Sequence, residues 1–133
     1  MTREDLRQLV RERASRKREY CHLPDMLPQT LRFHMEHIVA RQHGGPTTME
    51  NLAWSCHRCN ERKGPNLSAV DPDTSDLVRL FHPRQDKWAE HFALNGLTIT
   101  GLTARGRATV WLLEMNSEER LRWRAALRRY GLF

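Results

Sequence analysis

The chain lacks any long apolar run, since none of its segments approaches the roughly 18 consecutive apolar residues that a membrane-spanning helix needs. Its first residues, from Met1 to Asp5, also lack the apolar core and the small-residue cleavage pattern of an export signal. We therefore expect no membrane association and a cytoplasmic location.

Cysteine is scarce, with three residues in 133, and an odd number cannot pair completely in disulfides. Cys56 and Cys59 form a Cys-x-x-Cys turn, and Cys21 lies well upstream of it. In a chain without an export signal, this spacing predicts metal binding rather than a disulfide.

Lysine is scarce as well. It occurs only at Lys17, Lys63 and Lys87, so arginine supplies most of the 22 basic side chains and of the net charge of +6. Arginine suits bidentate contacts with phosphate, although arginine richness also follows genome composition. The basic balance alone is therefore a weak indication of a nucleic-acid partner.

Apolar residues make up 39% of the chain and are spread along it, which predicts a small globular protein rather than a disordered chain. Apolar periodicity, turn residues and capping residues together predict an α+β fold. The predicted elements are a helix at residues 3–18, strands at Arg32–Val39 and Leu52–Ser55, a short helix at Cys56–Lys63, a polar loop at residues 66–76, a helical piece at residues 87–92, a hairpin at residues 94–102, a helix at residues 103–115, and a last helix that Asn116 and Glu119 cap.

Residues 33–65 hold the most informative pattern, with Glu36 beside His37, Asn51 after a glycine-containing loop, and Asn60 directly after the Cys-x-x-Cys turn. An imidazole has the pKa of a general base near neutral pH, so His37 is the candidate to activate a water molecule. The carboxylate of Glu36 and the amide oxygen of Asn60 are ligands that hard divalent cations prefer.

Strand geometry constrains this site, because adjacent residues of an ideal strand point to opposite faces. Glu36 and His37 can therefore serve one site only where the strand ends or twists. His34 would share a face with Glu36, and it is an auxiliary candidate for a metal ligand or a phosphate contact.

These residues resemble the HNH endonuclease family, whose core is a ββα-metal fold; the stretches that carry the resemblance are Glu36-His37, Asn51-Leu52 and Cys56-His57-Arg58-Cys59-Asn60. The resemblance implies hydrolysis of DNA phosphodiester bonds, with His37 as general base. It also implies that Glu36 and Asn60 hold one divalent cation, Mg²⁺ or Mn²⁺, and that Asn51 ties the loop together and helps to orient the histidine. The products would carry a 5′-phosphate and a 3′-hydroxyl.

Many members of this family also carry a structural zinc on two Cys-x-x-Cys pairs. In this chain the upstream pair is incomplete, because Arg18 stands where its first cysteine would be. Three thiolates would remain, from Cys21, Cys56 and Cys59, and the fourth ligand stays open between His22, His57 and water. Equally, the zinc could be lost, with Cys21 as a remnant and packing alone holding the short helix.

Four basic residues near the motif are candidate nucleic-acid contacts, or else plain surface charge: Arg41, Arg58, Lys63 and Arg84. The stretch Leu80–Phe92 looks like a tail found in one bacterial subgroup of HNH proteins. We therefore expect a nuclease core with its N-terminal helix at residues 1–92. A C-terminal extension of a hairpin and helices, packed on that core, would follow at residues 93–133.

Two other interpretations stay open, namely a DNA-binding module whose catalysis is weak or lost, and a structural zinc scaffold of the treble-clef type. Intact Glu36, His37 and Asn60 argue against the first, and the second leaves the acid–histidine pair unexplained. One metal ion supports one cut, so a monomer would nick one strand and a dimer could cut both. A homodimer, a protein partner that directs cleavage, and the choice between DNA and RNA all remain open.

Overall fold

The computed structural model describes residues 1–24 and 33–133. The chain divides into two compact units, Met1–Pro65 and Asn66–Phe133. This boundary falls earlier than the one between residues 92 and 93 in our division of the chain, and the packing of residues 93–133 on the nuclease core stays a prediction. Both units mix helices with short antiparallel hairpins, which confirms the α+β class. Each helix in these described ranges is too short or too polar to cross a bilayer.

The first unit contains a strand–strand–helix arrangement, as the sequence predicts. Its two strands pair in antiparallel fashion, with Phe33 opposite Cys56 and His37 opposite Leu52. The predicted strand began at Arg32, which lies outside the described residues. The elements of this unit are α1 (Arg3–Arg13), β1 (Phe33–His37), two 3-10 turns (Arg41–His43 and Met49–Asn51), β2 (Leu52–Cys56) and α2 (His57–Lys63).

Helix α1 begins with a capping box and ends earlier than predicted. The Thr2 hydroxyl accepts a hydrogen bond from the Asp5 amide, and the Asp5 carboxylate accepts one from the Thr2 amide. The helix stops at Arg13 because Ser15 and Arg16 adopt left-handed backbone conformations, with φ of 56° and 57°. The predicted extension to residue 18 is therefore wrong.

Strand β2 forms the centre of the first unit, and all five of its residues are buried. Val10 of α1 packs on Leu52 and Trp54, while α2 also contacts the strand. The guanidinium of Arg7 lies 4.7 Å from the centre of the Trp54 ring. A strand covered in this way buries every side chain, which is why its sequence shows no alternation of apolar and polar residues.

The second unit has its own core and several small elements. The predicted helical piece, hairpin and two C-terminal helices are confirmed, whereas the predicted polar loop at residues 66–76 contains a strand. Its elements are β3 (Ser68–Val70), β4 (Leu77–Arg79), α3 (Trp88–His91), β5 (Phe92–Asn95), β6 (Thr98–Gly101), α4 (Ala104–Leu113) and α5 (Glu118–Arg129).

The hairpin of β3 and β4 was missed because its strands are three residues long and expose Val70 and Leu77. A buried aspartate in its turn holds it. The Asp71 carboxylate accepts hydrogen bonds from Arg107 Nε at 3.0 Å and from Nη2 at 2.8 Å. The hydrogen bond from Arg107 is the main reason why the pKa of Asp71 falls to about 2.

The capping residue of the last helix is Ser117, not Asn116 as predicted. The Ser117 hydroxyl accepts a hydrogen bond from the Arg120 amide. Asn116 instead bridges to the β5–β6 hairpin, accepting from the Ile99 amide and donating to the Ile99 carbonyl, both at 2.8 Å. A capping pattern in the sequence reflects only residues that are near in the chain. Asn116 instead hydrogen-bonds to the backbone of Ile99, which is distant in the sequence.

We predict that Asp71→Asn lowers the melting temperature at neutral pH, because the neutral amide loses the charged hydrogen bonds from Arg107. A carboxylate with a depressed pKa stabilises the fold above its unfolded pKa, near 3.8, and this contribution disappears as the pH falls toward 2. Thermal melts from pH 7 to pH 2 should show the gap to wild type narrowing below pH 4. Asp76→Asn removes an exposed carboxylate of the same hairpin and is the control; an equal loss in both variants would contradict the prediction.

Candidate functional site

A pocket of about 410 Å³ opens between the end of β1, the following loop and α2. It gathers four of the residues singled out in the sequence: Glu36, His37, Arg41 and Asn60. Its other lining residues are Met35, Ala40, Gln42, Gly64 and Pro65. The expected acid, histidine and amide therefore do share one cavity.

The end of a strand solves the problem that adjacent residues point to opposite faces. His37 is the last residue of β1, and both Glu36 and His37 line the pocket at this strand end. Asn60 lies on α2, which contacts both strands. The Cys56 sulfur caps α2 by accepting a hydrogen bond from the Cys59 amide at 3.2 Å, which places the helix directly after β2.

His37 has the properties of a neutral base. Partial burial, and then the positive charges of Arg41 and Arg3, lower its pKa below the usual 6.5. This shift favours the neutral imidazole, the form that can accept a proton. Its Nε2 lies 2.9 Å from the Thr47 hydroxyl, which holds the ring against the loop.

Asn51 ties that loop together through three hydrogen bonds. Its Oδ1 accepts from the Val39 amide at 2.9 Å, and its Nδ2 donates to the carbonyls of Val39 at 3.0 Å and Pro46 at 2.8 Å. Gly45 leaves room for this arrangement, because a Cβ there would lie 1.7 Å from the Val39 carbonyl oxygen. These bonds fix the segment that follows the His37 strand.

Glu36 is buried in an ion pair that the sequence did not reveal. Its Oε1 lies 2.7 Å from Lys63 Nζ, and the Lys63 and Glu36 side chains are only 2% and 3% exposed. Lys63 also donates to the Ile38 carbonyl at 2.8 Å. Burial raises the pKa of Glu36, while Lys63 and the Tyr20 hydroxyl oppose that rise. Lys63 therefore lies inside the unit and not on the surface where a phosphate contact was expected.

Glu36 and Asn60 fit a hard divalent cation by donor type, since Mg²⁺ usually takes one or two protein oxygens and completes its shell with water and substrate. Both line the pocket beside His37. The ammonium of Lys63 already neutralises the Glu36 carboxylate, so a cation bound there would share or displace that partner.

Three other candidates lie away from the pocket lining. His34 Nε2 is 3.0 Å from His57 Nδ1, so His34 is engaged with the first residue of α2. Arg58 is exposed on α2, and Arg84 belongs to the second unit, where its amide donates to His82 Nδ1. Their predicted nucleic-acid and metal roles stay predictions.

The three cysteines form a buried cluster, as predicted. Their sulfur atoms all lie within 4.8 Å of one another, and none is in a disulfide. Burial, together with the neighbouring sulfurs, raises the pKa of the Cys59 thiol well above its usual value. Neither His22 nor His57 joins this cluster within the described residues. His57 is instead engaged by His34 and by Glu61, whose carboxylate lies 3.0 Å from its Nε2.

A comparison with models of known protein families finds a match to this part of the chain. The family model of the HNH endonuclease matches residues 19–66, which span the cysteine cluster, both strands, the loop and α2. These residues form an HNH endonuclease domain. No curated protein and no solved structure gives a significant match to the chain. The HNH match and the cysteine cluster together support nucleic acid as the target and metal as part of the domain.

Sequence reasoning missed two residues of this HNH domain and the buried partner of a third. Tyr20 and Lys63 converge on Glu36 from opposite directions along the chain, and Thr47 contacts His37. Lys63 was a candidate phosphate contact, or else plain surface charge, because it flanks the motif in the sequence. A sequence signal exists for none of these contacts, since each depends on how α2 and the loop pack.

We predict that Gly45→Ala destabilises the HNH domain by about 1–3 kcal/mol, because the added methyl group overlaps the Val39 carbonyl and crowds the Asn51 amide. Urea unfolding measures the change. Gly44→Asn is the matched control, since Gly44 has open space around it and a φ of 83° that asparagine tolerates. Equal stability of the two variants would contradict the assigned role of Gly45.

We predict that Lys63→Met costs about 3–5 kcal/mol, because it leaves the Glu36 carboxylate buried without its counter-charge. The double variant Glu36→Gln/Lys63→Met should recover much of this loss. Urea unfolding of the single and double variants gives the coupling energy. Arg62→Met, which removes an exposed neighbouring cation, should change little. Strict additivity of the two single changes would rule out the ion pair.

Proposed function

We propose that the HNH domain is a metal-dependent endonuclease that hydrolyses DNA phosphodiester bonds with His37 as general base. The observation that carries the proposal is the convergence of Glu36, His37 and Asn60 on one pocket. A phosphodiester is cut by an in-line nucleophile, and a neutral imidazole beside two oxygen ligands supplies the groups that such a reaction needs.

Four residues of the domain have separate roles in this reaction. Neutral His37 accepts a proton from the attacking water, and the Thr47 hydroxyl keeps its ring in place. Exposed Arg41 at the pocket edge contacts a phosphate of the backbone and holds the strand in register. Asn51 stiffens the loop between these residues.

Glu36 and Asn60 would hold the divalent cation, Mg²⁺ or Mn²⁺. When bound, such an ion stabilises negative charge on the phosphate and on the leaving oxygen. The ion pair with Lys63 opposes the rise in the pKa of Glu36 that burial causes, and it aligns the carboxylate inside the unit. This arrangement accounts for a buried acid in a site that needs a charged ligand.

The Lys63 contact also favours a second candidate, a DNA-binding module with little or no catalysis. An ammonium 2.7 Å from Oε1 competes directly with a metal ion for that oxygen. If Lys63 is never displaced, the domain would bind DNA through its basic residues and leave it intact.

We predict that the purified protein nicks supercoiled plasmid with Mg²⁺ or Mn²⁺ and not with EDTA. His37→Ala should lower the rate by about 10²- to 10⁴-fold, the usual contribution of a general base, and leave DNA binding measured by fluorescence anisotropy unchanged. His43→Ala is the control, because His43 lies exposed in the neighbouring turn and does not line the pocket.

Two results would overturn the enzyme proposal. One is well-folded wild-type protein that binds DNA but never relaxes the plasmid with either metal, which favours the binding module. The other is cleavage that persists in His37→Ala, which removes His37 from the reaction. Gel analysis of nicked against linear product then separates single-strand from double-strand cutting.

A further inference from the structure

Arg18 lies beside the cysteine cluster, where no carboxylate of the described residues pairs with it. Its side chain is 2% exposed, and its Nη1 lies 3.9 Å from the Cys21 sulfur. The guanidinium carbon is 4.6 Å from the centre of the Phe33 ring. Its Nε and Nη2 find no hydrogen-bond acceptor among the described residues. A guanidinium stays charged even when it is buried, so this one requires a negative group nearby.

Within the described ranges, no ion pair joins Arg18 to a carboxylate. The acid next to it, Glu19, uses its carboxylate to accept a hydrogen bond from the Trp54 amide at 2.7 Å. The buried acid of this unit, Glu36, is paired with Lys63. The sulfur atoms of the cluster are therefore the groups beside Arg18 that can carry negative charge.

We propose that Arg18 is the built-in counter-cation of the divalent, zinc-class ion that the HNH resemblance implies on Cys21, Cys56 and Cys59. A divalent ion on three thiolates carries one net negative charge, which the single positive charge of Arg18 cancels. A four-thiolate centre would carry two negative charges. Arginine in place of the fourth cysteine thus converts a doubly charged buried centre into a neutral one.

The positions of the sulfur atoms support this assignment. With zinc–sulfur bonds of about 2.3 Å, two sulfurs on one tetrahedral ion lie about 3.8 Å apart. The three sulfur atoms already lie within 4.8 Å of one another, so each pair would have to approach by about 1 Å at most to bind one ion. Three ligands come from the chain, because neither His22 nor His57 joins the cluster in the described residues. The described residues offer no fourth ligand to these sulfurs, so on their account a small solvent molecule beside Arg18 would complete the site.

This centre would act on the pocket through α2. Cys56 caps the helix and Cys59 lies in its first turn, so an ion on both would fix the start of the helix that carries Asn60. An isolated helix of seven residues is marginal in water and needs such an anchor. The inference concerns metal binding and folding, and it holds whether or not the domain cleaves DNA.

The test measures metal binding directly. Purified protein is analysed for metal content by mass spectrometry. The apo form is then titrated with Co²⁺, whose thiolate charge-transfer and ligand-field bands report the number of sulfur ligands, and with Zn²⁺ in competition with a chelator. Wild type should bind one ion with a three-thiolate spectrum. Arg18→Cys should bind one ion with a four-thiolate spectrum.

Charge variants test Arg18 itself. Arg18→Met should weaken Zn²⁺ binding by about 10- to 100-fold, as loss of an outer-shell partner does, while Arg18→Lys should stay near wild type. Lys17→Met removes the adjacent exposed charge and is the control. Should Arg18→Met fail to fold, Arg18→Gln keeps the hydrogen-bonding shape without the charge and should show the same weakening.

Two outcomes overturn the proposal. Wild type that binds no ion under conditions where Arg18→Cys binds one would mean that the arginine replaces the metal. Equal Zn²⁺ affinity in wild type and in a folded neutral variant would mean that Arg18 does not balance the charge of the centre. Neither result depends on plasmid cleavage.

Discussion

The ion pair between Glu36 and Lys63 is the contact on which the pocket depends. It joins the strand that carries the acid and the histidine to the helix that carries Asn60, and both partners are almost completely buried. A buried ion pair is costly to form but more costly to break on one side, so it specifies this arrangement against alternatives in which α2 lies differently. Burial raises the pKa of the Glu36 carboxyl, and the Lys63 ammonium in the same pair opposes that rise.

Helix α2 is held at both ends by contacts of different chemistry. Its start belongs to the cysteine cluster through Cys56 and Cys59, and its end is held by Lys63. Between them lies Asn60, whose position in the pocket follows from the two anchors. A helix of two turns gains little from its own hydrogen bonds, so tertiary contacts must supply its stability. The position of Asn60 is thus fixed because α2 is anchored both before and after this residue.

Local signals predicted much of this architecture. The turn residues, the Cys-x-x-Cys cap and the glycine pair identified both strands, the short helix and the loop that Asn51 ties together, because each depends on neighbours in the chain. Predictions failed where a distant group competed. Asn116 left its expected cap for the Ile99 backbone, and the β3–β4 hairpin formed around Asp71 and Arg107 despite exposed apolar residues on its strands.

The sequence by itself determined the chemistry that is available: an acid beside an imidazole, an amide at a fixed distance, and three thiols with an arginine where a fourth would stand. Only the tertiary structure decided which of these groups meet. Lys63 turned inward to Glu36, because a buried charge takes the opposite charge that the packing brings to it, and Arg18 lies beside the Cys21 sulfur. The sequence specifies the type of each side chain, but the way the helices and strands pack decides which partner a buried charge contacts.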